Sequence, residues 1–152
     1  KKKFNQIFEK LEKKEGSFVV FHGGERTGKS SVLSVIGKSV KAYFKSVYYV
    51  TSPDLKEYIY QKKMYDGNTP YYDRCILSDC LLMDNFGEEM FNEMFAEKLS
   101  SILRNRMENN KLTIISSEMK LCDLVIKYDK NKSLIKYLNR FEFVTLSKGV
   151  KP

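Results

Sequence analysis

Gly23-Gly24-Glu25-Arg26-Thr27-Gly28-Lys29-Ser30 is the stretch on which the reading of this chain turns. It meets the pattern G-x-x-x-x-G-K-[ST] at every fixed position, and the pattern has mechanical content only between a strand and a helix. Both flanks comply. Residues 18–21 (FVVF) are a short apolar run with a glycine on either side, as suits a strand buried in a parallel sheet. Residues 29–44 carry Val32, Leu33, Val35, Ile36 and Val40, which reads as a helix. Gly23 and Gly28 permit the turns and let backbone N–H groups face phosphate oxygens. The helix that follows points its positive end at the same anion. The expected nucleotide contacts are Gly23, Gly24, Glu25, Arg26, Thr27, Gly28, Lys29, Ser30 and Ser31, with ATP or a close relative as ligand. Lys29 is expected to reach the β- and γ-phosphates, and Ser30 to ligate Mg²⁺. His22, just before the loop, reads as a strand-end residue touching it rather than as a catalytic group.

Outward from the loop, strands and helices alternate. Residues 2–14 repeat Phe4, Ile7, Phe8 and Leu11 at helical spacing, so residues 1–15 read as a leading amphipathic helix ended near Gly16. Residues 47–50 are a second strand, and Pro53 and Asp54 open a helix to about Met64. Residues 65–72, with Gly67, Asn68 and Pro70, read as a loop, and residues 80–83 as a third buried strand ending at Asp84. A long helix is expected over residues 88–109, with Met90, Phe91, Met94, Phe95, Leu99, Ile102 and Leu103 on one face. Residues 112–115 are a fourth strand, helices follow near Leu121 and over residues 133–139, and residues 141–146 are a last strand. This order predicts one α/β domain over residues 1–152: a three-layer sandwich around a mainly parallel five-stranded sheet.

Composition narrows the classes. The 152 residues are enough for one core, and 42% hydrophobic with 30% charged suits a soluble globular domain. No apolar run is long enough to span a membrane, so no membrane partner and a cytoplasmic place are expected. Cys75, Cys80 and Cys122 are too few and too scattered for a disulfide framework or zinc site, and read as buried free thiols. One histidine leaves no His-based metal site or triad. The net charge of +8 suits a polyanionic partner, and equally suits solubility.

Magnesium needs a carboxylate at the end of a neighbouring strand. Asp84 fits, because Leu81-Leu82-Met83 is apolar and Asn85-Phe86-Gly87 turns away. Asp79 is the rival acid, but Ser78 interrupts its strand. Hydrolysis also needs a base to orient water. The residue after Asp84 is Asn85, whose amide cannot accept a proton; Glu88 or Glu89 could substitute as the base, but both read as first-turn helix residues favoured by the dipole.

Four stretches carry a family resemblance: VYYVTSPDLKEYI (47–59), CLLMDNFGEE (80–89), LSSILRNRMENNKLTIISSEMKLCDL (99–124) and KYLNRFEFVTL (136–146). Together with the phosphate loop they resemble the bacterial replicative-helicase loaders, the DnaC/DnaI branch of the AAA+ ATPases, over about residues 16–146. The resemblance implies an AAA+-type P-loop domain that delivers a ring helicase onto single-stranded DNA in an ATP-dependent way, with self-assembly in a ring or spiral. Loaders of this branch usually carry an N-terminal helicase-binding domain that this chain does not contain. By resemblance, Lys29 and Ser30 are the phosphate and magnesium residues and Asp84 the first acid, while Asn85 replaces the second acid. Where the family tends to have Thr-Ser-Asn, with an amide sensing the γ-phosphate, this chain has Ser116-Ser117-Glu118. The inter-subunit arginine finger falls near Lys136 to Arg140, and lysine lacks the guanidinium fork. These departures imply a domain that binds ATP better than it hydrolyses it. Arg104 and Arg106, near Lys111, read either as a solvated basic helix end or as phosphate contacts to single-stranded DNA.

Two other readings stand beside this one. VVFHGGERTGKSS and YYDRCILSD are similar to the phosphate loop and Asp-Arg element of thymidylate kinases, with Asp73 and Arg74 touching a nucleoside monophosphate. Against it, residues 116–133 contain no arginine for a lid, and His22 stands where those kinases have an acid. The other is a nucleotide-dependent adaptor without turnover, which Asn85 and Glu118 favour. Tyr58, Tyr60, Tyr71 and Tyr72 read as surface cover or as base-stacking rings.

Overall fold

A computed structural model of the chain describes residues 17–24, 28–63 and 70–146. The expected leading helix lies outside the described residues, as do Glu25, Arg26 and Thr27 of the loop. Five strands, β1 (Phe18–His22), β2 (Val47–Thr51), β3 (Cys80–Asp84), β4 (Leu112–Ser117) and β5 (Glu142–Thr145), form one sheet in the order β2-β3-β4-β1-β5. Every pairing is parallel. Six helices connect them among the described residues: α1 (Lys29–Val40), α2 (Ser52–Lys63), α3 (Pro70–Leu77), α4 (Glu93–Glu108), α5 (Leu121–Lys127) and α6 (Lys132–Leu138).

The alternation of side chains along each strand builds two cores. Val19, Phe21, Cys80, Leu82, Leu112 and Ile114 face α1 and pack with its Leu33, Ile36 and Val40. Val20, Leu81, Met83 and Ile115 face the other way, onto Leu55 and Ile59 of α2, Cys75 of α3, Leu99 and Ile102 of α4, Leu124 of α5 and Leu134 of α6. Buried on both sides, the central strands read as continuous apolar runs, and the three-layer parallel architecture is the one expected. α1 lies close to the sheet because Gly37 faces it: a Cβ there would stand 2.9 Å from Leu82 Cδ1.

Four expectations need correction. The helix after the phosphate loop ends at Val40, not near Phe44, and Val35 is exposed rather than on its buried stripe. Residues read as the end of a loop begin α3 instead: Pro70 occupies the first helical turn, where its missing N–H costs nothing, and Cys75 anchors the helix in the core. The long helix begins at Glu93 rather than Glu88, because the Asn92 side chain accepts the Phe95 N–H and fixes the start there. Met90, assigned to its buried face, therefore lies outside the helix and is 81% exposed. Of the three free cysteines, Cys122 is exposed, while burial pushes the Cys75 and Cys80 thiols up to about 12.

Candidate nucleotide site

The site gathers where β1, β4 and β3 end side by side. β1 leads into Gly23, whose N–H donates to Ser117 O at 3.1 Å, so the phosphate loop leaves the sheet tied to the end of β4. Gly28 then takes φ 85° and ψ 20°, a left-handed conformation that glycine adopts without strain, and serves as the N-cap of α1. Having no side chain, it leaves the first-turn amides of α1 open to an anion. Lys29 is buried, and its Nζ donates to Gly24 O at 2.8 Å, so the ammonium already lies against the start of the loop.

Asp84 closes the other side, with 1% of its surface exposed. Oδ2 accepts Ser30 Oγ at 2.8 Å and Tyr49 OH at 2.7 Å. Oδ1 accepts the Ser116 hydroxyl and, at 3.0 Å, the Asn85 N–H. Burial pushes this carboxyl up, but the Ser116, Tyr49 and Ser30 hydroxyls and the Asn85 N–H outweigh it, and the acid is held below its ordinary value. Asp84 is therefore a fixed anion and a poor proton acceptor. Asn85 has φ 56°, which asparagine tolerates, and its N–H also donates to Ser116 Oγ at 3.1 Å. Asp79, the rival acid, accepts the Ser46 N–H at the opposite end of β3.

The residues present fit a divalent ion held partly by a ligand. Among the described residues no group of three or more His, Cys, Asp or Glu could hold a metal. Magnesium typically takes one or two protein oxygens, with phosphates and water supplying the rest. The Ser30 hydroxyl beside the Asp84 carboxylate is such a donor pair.

Glu89 occupies a place that sequence reasoning missed. It sits in the turn after Asp84, not in the first turn of a helix, and is 4% exposed. Its carboxylate accepts the Ser52 hydroxyl, the Tyr128 hydroxyl and, at 3.1 Å, the Gly87 N–H, with Lys127 Nζ 3.6 Å away. Lys127 Nζ also donates to Gly87 O and Glu89 O. This clasp binds the turn after Asp84 to the starts of α2 and the end of α5. Nothing in the spacing of Glu89 signals it, because its partners lie 37 and 39 residues away.

His22 meets its expectation as a strand-end residue, with Nε2 2.8 Å from Thr145 Oγ1, and burial and then Lys120 lower its pKa. Glu118 is exposed one residue beyond β4, and it is Ser116 and Ser117 that turn inward, Ser117 Oγ donating to Phe86 O at 2.6 Å. Ser31 is exposed on α1. Lys136 on α6 and Arg140 just after it are exposed, at the surface that an inter-subunit residue requires.

Arg106 is the clearest correction. Read either as a solvated helix end or as a contact to single-stranded DNA, it is fully buried and is neither. Its guanidinium donates to Thr113 Oγ1 (2.7 Å) and to the carbonyls of Cys75 (2.9 Å), Ser78 (2.7 Å) and Leu112 (2.7 Å). It joins the end of α3 to the starts of β3 and β4 and cannot reach DNA. Arg104 is exposed, and the partly buried Lys111 donates to Leu77 O at 3.0 Å.

The rings and the Asp-Arg element also find structural places. Tyr58 and Tyr71 stack on each other with centroids 4.2 Å apart, and with Tyr72 they pack against the core. Asp73 and Arg74 lie on the helix that leads into the start of β3, the end of the sheet away from the phosphate loop. A kinase acceptor site would need them at the other end.

This architecture is the P-loop fold of the AAA+ type. The DnaC helicase loader and DnaI, the proteins that its sequence resembles, share this fold. The DnaC helicase loader superposes with a TM-score of 0.78 at 19% identity, over 96% of this chain and 89% of the loader. DnaA from Aquifex aeolicus, AMPPCP-bound, gives 0.80 at 18% identity over 95% of this chain and 45% of DnaA. A replication initiator DnaA bound to AMPPCP and single-stranded DNA gives 0.79 at 21% identity over 93% of this chain and 44% of DnaA. The chain thus spans a little under half the length of these DnaA structures. No family model and no curated protein matches the sequence.

Proposed function

We propose that this chain binds ATP with magnesium and acts in replication initiation as a helicase-loader-like domain, coupling nucleotide binding and weak, partner-stimulated hydrolysis to a replicative helicase and single-stranded DNA. The observation that carries this reading is the pairing of Ser30 Oγ with Asp84 Oδ2, 2.8 Å apart, together with a Lys29 ammonium bonded to Gly24 O at the start of the glycine loop. A magnesium ion bound there would neutralise phosphate charge. Lys29 and the open amides of α1 would hold the phosphates, and Asp84 would orient water on the ion. The test is an ATP titration with and without magnesium, followed by turnover with and without replicative helicase and single-stranded DNA. Absence of binding sinks the reading.

Weak hydrolysis follows from the two buried carboxylates and from Asn85. Asp84 is saturated with donors, Glu89 is locked in its clasp, and Asn85 has no proton-accepting atom. Asn85→Asp is expected to raise kcat about tenfold or more, toward the ~10²–10⁴-fold that a positioned base supplies. Its left-handed backbone is one that aspartate tolerates, so the exchange adds little strain. Unchanged turnover in the variant counts against the missing-base account. Should the native chain show no turnover even with helicase and DNA, the same residues support the adaptor reading.

For DNA, the +8 charge and exposed Arg104 are the remaining supports. If Arg104 neutralises one phosphate, Arg104→Ala lowers the slope of log K against log salt by about 0.7 for a single strand. An unchanged slope removes Arg104 from the interface. The exposed Lys136 and Arg140 suit ring or spiral assembly, with the arginine the better clamp of the two. A cytoplasmic place agrees with this role, and among the described residues no helix is long and apolar enough to cross a membrane.

A further inference from the structure

We propose that Tyr49 is a positioning residue of the magnesium site, its phenol fixing Asp84 Oδ2 beside Ser30. The inference rests on the nucleotide-binding reading and adds a residue to it. Tyr49 lies in β2, whose register sets it opposite Leu82 and sets Thr51 opposite Asp84. To reach Asp84, the ring leans forward along the sheet by two residues, toward the phosphate loop. It remains 50% exposed while its hydroxyl donates to Oδ2 at 2.7 Å. A half-exposed tyrosine on a strand can satisfy its hydroxyl with water alone. Here the hydroxyl meets instead the oxygen that also accepts Ser30 Oγ.

The consequence concerns orientation. Oδ1 is held by Ser116 and the Asn85 N–H, from β4 and the turn beyond β3. Without Tyr49, the only described donor to Oδ2 is Ser30, the residue whose oxygen must serve the metal. Tyr49 supplies a donor that does not take part in coordination, so the carboxylate keeps one orientation while Ser30 changes partners. Groups that orient the ligands of a metal in this way typically contribute ~10–100-fold to its affinity.

Tyr49→Phe removes the hydroxyl and keeps the ring. The test is calorimetric titration of ATP into the whole chain, in EDTA and across a series of MgCl₂ concentrations. The expected result is an unchanged Kd in EDTA and an approximately tenfold higher magnesium concentration for half of the magnesium-dependent gain in affinity. A variant with the native magnesium midpoint overturns the inference. So does an equal loss of affinity with and without magnesium, the mark of a merely structural role. Failure of the native chain to bind ATP at all sinks the nucleotide reading first, and is told apart by that control.

Discussion

Lys29→Ala is expected to abolish tight ATP binding. The ammonium is buried and donates to Gly24 O at 2.8 Å, so it is committed to the loop before any phosphate arrives. A triphosphate offers it charged acceptors in place of a neutral carbonyl. Each hydrogen bond to a charged group contributes about 1.5–3 kcal/mol, so losing one raises Kd by roughly 10- to 150-fold. The loss of long-range attraction adds to this. Calorimetry with ATP and magnesium checks it, and Lys29→Met, which keeps the apolar stem, separates lost charge from lost packing. Native affinity in both variants would refute the assignment of residues 23–30.

The largest effect on folding belongs to Arg106→Ala. The guanidinium satisfies three carbonyls and the Thr113 hydroxyl in the interior, and burial pulls its pKa down to about 10, so it stays charged at neutral pH. Truncation would orphan these acceptors and open a cavity. At ~1–3 kcal/mol for each buried group left unsatisfied, and allowing for relaxation, the loss is about 3–5 kcal/mol. That is a large share of the ~5–15 kcal/mol of a typical domain. Urea unfolding gives the value directly. Arg106→Lys should recover only part of it, because an ammonium cannot reproduce the fork. A loss below about 1 kcal/mol for the alanine variant would show that water replaces the guanidinium and that the lock is not structural.

The same residue marks where sequence reasoning stops. The phosphate loop, Asp84, the strands and the three layers were legible because local signals fix them: glycines at set offsets, apolar runs bounded by turns, an acid at a strand end. Arg106 follows a helical run beside Arg104, and nothing local tells a buried arginine from a solvated one. Its burial comes from the carbonyls at the start of β3, 28 residues away in the case of Ser78. Glu89 misled in the same way, since Glu88 and Glu89 precede an apolar repeat and pass for a helix start. The Asn92 cap four residues after Glu88 was the overlooked local sign. α3 was hidden by Gly67, Asn68 and Pro70, although proline in a first turn is as much a start signal as a break.

β4 ends between the two halves of the site. Ser117 O receives the Gly23 N–H, Ser116 O receives the Phe86 N–H, and the Ser116 hydroxyl holds Asp84. The start of the phosphate loop and Asp84 thus share a single anchor. A pull on this strand end displaces both together. Glu118, exposed one residue further on, is where this shared anchor reaches the surface.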